Sequence, residues 1–280
     1  YAAYQKLYAN RGATTKGEDD DTADGFSEKY VAQLITELRE GTYHAKPVRR
    51  EYIKKQNGKL RPLGIPSFRD KLLQEVVRMI LEAIYEPVFD DHSHGFRPNR
   101  SCHSALRQIS CNFTGVIWFI EGDITGCFDN IDHETLLDIL GRKIKDSRFL
   151  NIIRQFLKAG YIEDWKYNAT YSGTPQGGIC SPILANIYLN ELDRKLEEIS
   201  QRFAKPCSAG VTHEYAAVMT KRHNISQKID QTTDEETRNS LICQYKALQK
   251  HTHTIPRKPA NDKRFTFVRY ADDWLAGVCG

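Results

Sequence analysis

The chain has 280 residues, 40% of them hydrophobic and 27% charged. That is enough for a sizeable core, and it excludes a disordered or fibrous protein; no apolar run reaches the ~18 residues of a membrane helix. The net charge of +4 hides two basic stretches, with nine Lys/Arg against two acids in residues 46–71 and ten against five in residues 216–264. They point either to polyanion contact at two places or to two solvated faces.

Residues 1–25 read as polar and loop-like, with an acidic run from Glu18 to Asp21. Ser27 has the character of an N-cap, with Phe26 and Val31 placed for a hydrophobic staple, and Gly41 ends the helix that follows. Residues 50–66 predict a hairpin turning at Asn57-Gly58. Asp70 is expected to cap a helix that stops before Pro87. Gly95 to Arg100 forms a basic turn, and Ser101 caps another short helix. Val116 to Ile120, continuing to Asp123, reads as a buried strand. Helices are expected from about His133 and over 148–159. Gly173 to Gly178 is a glycine-rich loop running into Ser181-Pro182, an N-cap followed by Pro at N1, with a helix to about Ile199. Residues 200–262 are polar, basic and poor in strand signals. Two strands, Phe265 to Tyr270 and Trp274 to Val278, flank Ala271-Asp272-Asp273.

The seven cysteines, 102, 111, 127, 180, 207, 243 and 279, are scattered and form no C-x-x-C pair. A zinc ribbon or dithiol motif is therefore not expected, and reduced cysteines fit an intracellular protein. The chain opens on Tyr1 without secretory-leader character.

Two places put carboxylates against apolar strands: Asp123 at a strand end, and Asp272 with Asp273 in a hairpin turn. Either alone is ordinary, since Asp favours turns. Together they match two-metal phosphoryl chemistry, which wants carboxylates on adjoining strands to bridge two Mg²⁺ ions about 3.5–4 Å apart. Hard oxygen ligands favour Mg²⁺ over zinc.

Asp123-Ile-Thr-Gly-Cys-Phe-Asp129 and Tyr270-Ala-Asp-Asp273 resemble the two catalytic motifs of a reverse transcriptase palm. Arg61-Pro-Leu-Gly-Ile-Pro66, Gly95-Phe-Arg-Pro-Asn-Arg-Ser101 and Gly173-Thr-Pro-Gln-Gly-Gly-Ile-Cys-Ser-Pro182 fall in that family's order. The set resembles group II intron-encoded reverse transcriptase/maturases, especially the mitochondrial-like class. The resemblance implies an α+β fingers-and-palm fold of the right-hand polymerases: an antiparallel palm sheet packed on helices, without the thumb, because the chain stops seven residues after Asp273. The expected parts are an N-terminal helical extension (1–48), fingers (49–115), palm with a helical insertion (116–199), a basic helical insertion (200–262) and the catalytic hairpin (263–280).

It further implies RNA-templated DNA synthesis and help with splicing and mobility of the intron RNA. Asp123, Asp272 and Asp273 become the catalytic carboxylates, with Asp123, the Ile124 carbonyl and Asp272 as ligands of two Mg²⁺ ions. Phe128 matches the residue that excludes a ribose 2′-hydroxyl, and Gln176 the loop residue beside the incoming nucleotide. Arg61 and Arg69 sit where the fingers reach the triphosphate, a task suited to a planar guanidinium; the other reading for them is a generic RNA-facing charge. RNA contacts are expected from Lys54, Lys55, Arg97, Arg100, Lys221, Arg222, Arg257 and Lys258. The implied partners are intron RNA, an RNA template with DNA primer, and dNTPs. No membrane partner is expected, and a homodimer is left open. The implied setting is the bacterial cytoplasm, with an organelle as the alternative. A splicing cofactor with little polymerase activity is the competing reading, disfavoured because all three carboxylates and Phe128 are present. Phe128 also disfavours a viral-type RNA polymerase on the same palm, and the opening motif and the basic segment fit retron enzymes poorly.

Overall fold

The computed structural model describes all residues except 11, 55–57, 59, 175–176, 205–211, 233 and 256–262. Asn57 of the expected turn, Lys55, Gln176, Arg257 and Lys258 lie outside the described residues. The fold is α+β, in two compact units. One holds residues 1–199 with 266–277, the other 200–265 with 278–280.

In the larger unit, α1 (Ala2–Tyr8) is followed by α2 (Glu28–Glu40). Ser27 caps α2 by accepting from Tyr30 N, and Gly41 closes it in the left-handed region, as the sequence predicts. β1 (Val48–Lys54) and β2 (Leu60–Ile65) pair antiparallel, Arg49 opposite Ile65 and Lys54 opposite Leu60. α3 (Phe68–Tyr85) stops before Pro87. Its cap is Ser67, not Asp70: the fully buried Ser67 hydroxyl accepts from Asp70 N at 3.2 Å. That frees the buried Asp70 carboxylate to accept from the Tyr43 hydroxyl and from Lys46 N, which pins the segment before β1 onto α3.

α4 (Cys102–Asn112) starts at Ser101 with a reciprocal Ser101–Ser104 capping box. β3 (Trp118–Asp123) follows, then α5 (His133–Lys143), capped by Asp132, and α6 (Ser147–Lys158), capped by Asp146. β4 (Tyr161–Glu163) and β5 (Lys166–Asn168) form a hairpin that the sequence reading missed. β4 pairs parallel to β1, giving a four-stranded sheet in the order β2-β1-β4-β5. α7 (Ser181–Phe203) begins at Ser181 itself and outruns Ile199 by about one turn. The apolar faces of α1, α3, α5, α6 and α7 meet in one core containing Phe68, Leu81, Leu136, Leu140, Ile153 and Leu184.

In the smaller unit, α8 (His213–Gln231) and α9 (Glu235–Thr254) pack as a helical hairpin, in keeping with the helical reading of this basic segment. β6 (Arg264–Tyr270) and β7 (Asp273–Cys279), of which residues 266–277 belong to the larger unit, complete the chain, and the second sheet has the order β3-β7-β6. β3 corrects the expectation of a buried strand. Ile117, just before the strand, and Trp118, Phe119 and Ile120 within it are all exposed; Phe119 keeps one stacking contact, with Phe113 at 6.1 Å. No helix among the described residues is long and apolar enough to cross a membrane.

Candidate active site

β6 ends at Tyr270 and β7 begins at Asp273, so Ala271 and Asp272 form a two-residue turn. Ala271 has φ +57°, a left-handed conformation that an L side chain resists. Asp123 ends β3, whose neighbour in the sheet is β7. The contact that joins the two motifs is a backbone one: Ile124 N donates to Asp272 O at 3.4 Å. Closeness of the strands also requires Gly122, since a Cβ there would sit inside the Trp274 indole of β7.

The carboxylates share one electrostatic field. Burial, and then the charges of Asp272, Asp123 and Glu121, push the Asp273 carboxyl above the usual carboxylate range. Burial, then Asp272 and Asp123, also raise the buried Cys127 thiol, against a smaller lowering by Arg269. Among the described residues, no cation or hydrogen-bond donor meets the side chains of Glu121, Asp123, Asp272 or Asp273. Acidic oxygens left in mutual repulsion with no protein counter-charge suit a hard divalent cation. The three aspartates do not close to a single point, however. Among the described residues, the group whose donor atoms all fall within 4.8 Å is Asp90, His92 and Glu197, where His92 Nδ1 already bonds Asp90 at 2.6 Å. Asp272 lies in the turn and Asp273 is the first residue of β7. Asp273 lines a 460 Å³ cleft with Glu121, Tyr270 and Trp274, whereas Asp123 and Asp272 do not.

After Asp123 the chain turns through Gly126 into a single 3₁₀ turn, Cys127–Asp129, that carries Phe128. Ile124 O accepts from Cys127 N at 3.1 Å, which leaves its second lone pair for another donor or an ion. The glycine-rich loop is sewn to this turn: Thr174 N donates to Phe128 O at 2.7 Å, Gly173 N to Ile131 O at 2.8 Å, and the buried His133 ring bonds Gly173 O at 2.7 Å. A cleft of 330 Å³ opens beside it, lined by Arg50, Pro62, Asp129, Tyr161, Tyr171 and Ser172 among others.

Of the basic residues expected to meet nucleotide or RNA, Arg61 and Lys54 are exposed on the β1–β2 hairpin, and Lys221 is exposed on α8. Four more, Arg69, Arg97, Arg100 and Arg222, have identified partners within the protein. Arg69 is paired with Glu37 and lies over the Tyr43 ring. Arg97 corrects the RNA-binding expectation: it is buried, its fork bonds Glu86 and the carbonyls of Asp90 and Ser93, and its guanidinium lies over Phe89. Arg100 is paired with Asp91. Arg222 bridges α8 to Tyr245 and Thr252 of α9. An Arg inside a Pro-Asn turn reads from sequence as a surface charge; only the fold supplies Glu86, eleven residues away. Sequence reasoning also missed Glu121, and Arg269 and Asp193 beneath the turn. The available signal was a charged residue at an apolar position of a strand or helix.

A family model described as reverse transcriptase (RNA-dependent DNA polymerase) matches residues 53–213. The chain is 52% identical over 281 residues to the group II intron-encoded protein LtrA of Lactococcus lactis subsp. cremoris, covering all of this chain and 47% of that protein. It is 44% identical over 285 residues to an uncharacterized 91 kDa protein in the cob intron of Schizosaccharomyces pombe, covering 99% of this chain and 34% of that protein. It is 41% identical over 198 residues to the protein YkfC of Escherichia coli K12, covering 68% of this chain and 52% of that protein. The chain thus spans about half the length of these relatives, or less.

Proposed function

The chain belongs to the reverse transcriptase (RNA-dependent DNA polymerase) family, and from that premise we propose that it is the fingers-and-palm portion of a group II intron-encoded protein that copies RNA into DNA and also binds its intron to assist splicing and mobility. The observation that carries the polymerase reading is the Ile124–Asp272 backbone contact. It joins two motifs far apart in sequence and groups carboxylates that have no protein counter-charge.

Members of this family depend on a divalent metal. Here Asp123, the Ile124 carbonyl and Asp272 would hold two Mg²⁺ ions, which when bound lower the pKa of the primer 3′-hydroxyl and neutralise the triphosphate. The remaining work falls to the chain. Phe128, fixed by Thr174 N on its carbonyl, presents its ring where the sugar of the dNTP lies and leaves no room for a 2′-hydroxyl. The primer 3′-oxygen then attacks the α-phosphate and pyrophosphate leaves. Arg61, exposed on the fingers hairpin, takes the triphosphate oxygens bidentately. Gln176, outside the described residues, is assigned to the base of the incoming nucleotide by the family resemblance alone.

Intron binding is assigned to α8 and α9, where Lys221 and Lys228 are exposed. Such cations suit backbone phosphates more than base edges.

The deciding experiment is primer extension on an RNA template with the full-length protein. Asp272→Ala is expected to abolish synthesis while intron affinity stays within about twofold of wild type. Undiminished synthesis by Asp272→Ala overturns the reading.

A further inference from the structure

Beneath the catalytic turn lies a charge that the chemistry does not use. Arg269, in β6, and Asp193, in α7, are both fully buried. Arg269 Nε donates to Asp193 Oδ1 at 2.6 Å and Nη2 to Oδ2 at 2.6 Å. The second Nη2 hydrogen goes to the buried Ser93 hydroxyl at 2.8 Å. Nη1 donates to Asn186 Oδ1 at 3.3 Å and to Ala271 O, in the turn, at 2.7 Å. All five donors of the guanidinium are thereby placed. Burial pulls the Asp193 pKa upward against the Arg269 contacts that lower it.

A buried ion pair is a poor stabilising device, since an apolar pair of similar volume often does as well. What an apolar side chain cannot do is hold a carbonyl. Ala271 is strained, and a strained residue persists only where its surroundings over-determine it. Arg269 grips its carbonyl from below, and Ile124 N holds the next carbonyl, Asp272 O, from the side of the other motif. The same network fixes the floor of the turn. Asn186 Nδ2 donates to Gly95 O at 2.7 Å, and a Cβ at Gly95 would stand 2.9 Å from Ala271 Cα. Arg269 itself is held at both backbone ends, its N–H donating to His92 O at 2.8 Å and its carbonyl accepting from His94 N at 2.9 Å.

We propose that Arg269, braced by Asp193 and Asn186, is a positioning residue that sets the Ala271 peptide and thereby aims Asp272 at Asp123. This rests on the polymerase reading. Arg269 touches no substrate; it acts through one carbonyl.

The test uses the full-length protein and two variants. Arg269→Met with Asp193→Leu replaces the pair by apolar volume but cannot donate to Ala271 O. Arg269→Lys keeps the charge opposite Asp193 and loses the fork. Primer extension, intron RNA affinity, Tm and Mn²⁺ binding followed by electron paramagnetic resonance are measured for each. The expected result is a fall in kcat of about 100-fold, the order of a 1 Å misplacement, with the dNTP KM nearly unchanged. Mn²⁺ binding should weaken, while Tm and RNA affinity stay close to wild type. A folded variant with wild-type kcat and Mn²⁺ affinity overturns the proposal. So does parallel loss of Tm, RNA affinity and kcat in both variants, which would make the pair a core element only. Asp272→Ala is run alongside. If it retains synthesis, the polymerase reading falls, and the Mn²⁺ titration still decides whether Arg269 sets the turn.

Discussion

The ring of Phe128 stands edge-on to that of Phe96, centroids 6.3 Å apart and planes at 78°. Phe96, itself exposed and in a left-handed conformation, therefore braces Phe128, the residue proposed to face the sugar. Phe128→Val should raise ribonucleotide incorporation by at least about tenfold, because removing the ring opens space for the 2′-hydroxyl. Phe96→Ala should shift it the same way by less. The measurement is the dNTP/rNTP ratio of kcat/KM, and an unchanged ratio in Phe128→Val would make the residue core packing.

Arg97→Ala should act on folding rather than on RNA. Losing Arg97, 4% exposed, leaves behind a Glu86 that is 27% exposed together with the carbonyls of Asp90 and Ser93, so the cost is about 1–3 kcal/mol, that of unsatisfied acceptors. Urea unfolding should show the loss, with intron affinity of the folded fraction unchanged. Arg100→Ala, whose partner Asp91 is largely exposed, should cost no more than about 1 kcal/mol.

His92 supplies a pH dependence of stability. Its hydrogen bond with Asp90, then the charges of Asp90, Glu197 and Asp91, raise its pKa against burial. Burial pulls Asp90 up, and the His92 contacts overcome it and leave Asp90 below its usual value. The raised His stabilises fully below its unfolded pKa and ceases to as pH climbs through the folded one. The lowered Asp stabilises above its unfolded pKa and ceases to as pH falls. Both act together between about pH 4 and 6.5. His92→Gln should lower Tm by about 2–4 °C more at pH ~5.5 than at pH ~9. Equal shifts at both would assign the effect to the His92–Phe267 ring contact alone.

On the helical hairpin, neighbouring residues should behave differently. Lys221→Glu, exposed, should weaken intron affinity and flatten its salt dependence by roughly 0.7–0.9 log unit per log unit of salt for each lost phosphate contact. Arg222→Ala should loosen the packing of α8 on α9 through Tyr245, seen as faster amide exchange in both helices. An unchanged salt slope in Lys221→Glu would leave α8 as plain surface.

Local features were legible in the sequence. Ser27 and Ser101 cap helices through neighbours three residues on, and β6 and β7 lie within about a residue of their expected ends. What escaped depended on partners distant along the chain. The Arg269–Asp193 pair spans 76 residues. β4 and β5 are three residues each, too short for periodicity to register, and β4 finds its place through β1. The exposure of β3 escaped because an apolar run states that burial is favourable, not that another element is there to provide it. The aspartates were legible as a set, yet their failure to close to one point was not, because spacing along the chain does not carry the distances between side chains.

That uncovered strand has a practical consequence for handling the protein. An edge bearing Trp118, Phe119 and Ile120 is a template on which a second strand can add. Concentrated solutions of the 280-residue chain will turn cloudy from this edge first, and low salt will not prevent it because the attraction is apolar. Ile120→Lys, on the strand face shared with Trp118, would act as a gatekeeper and keep preparations clear.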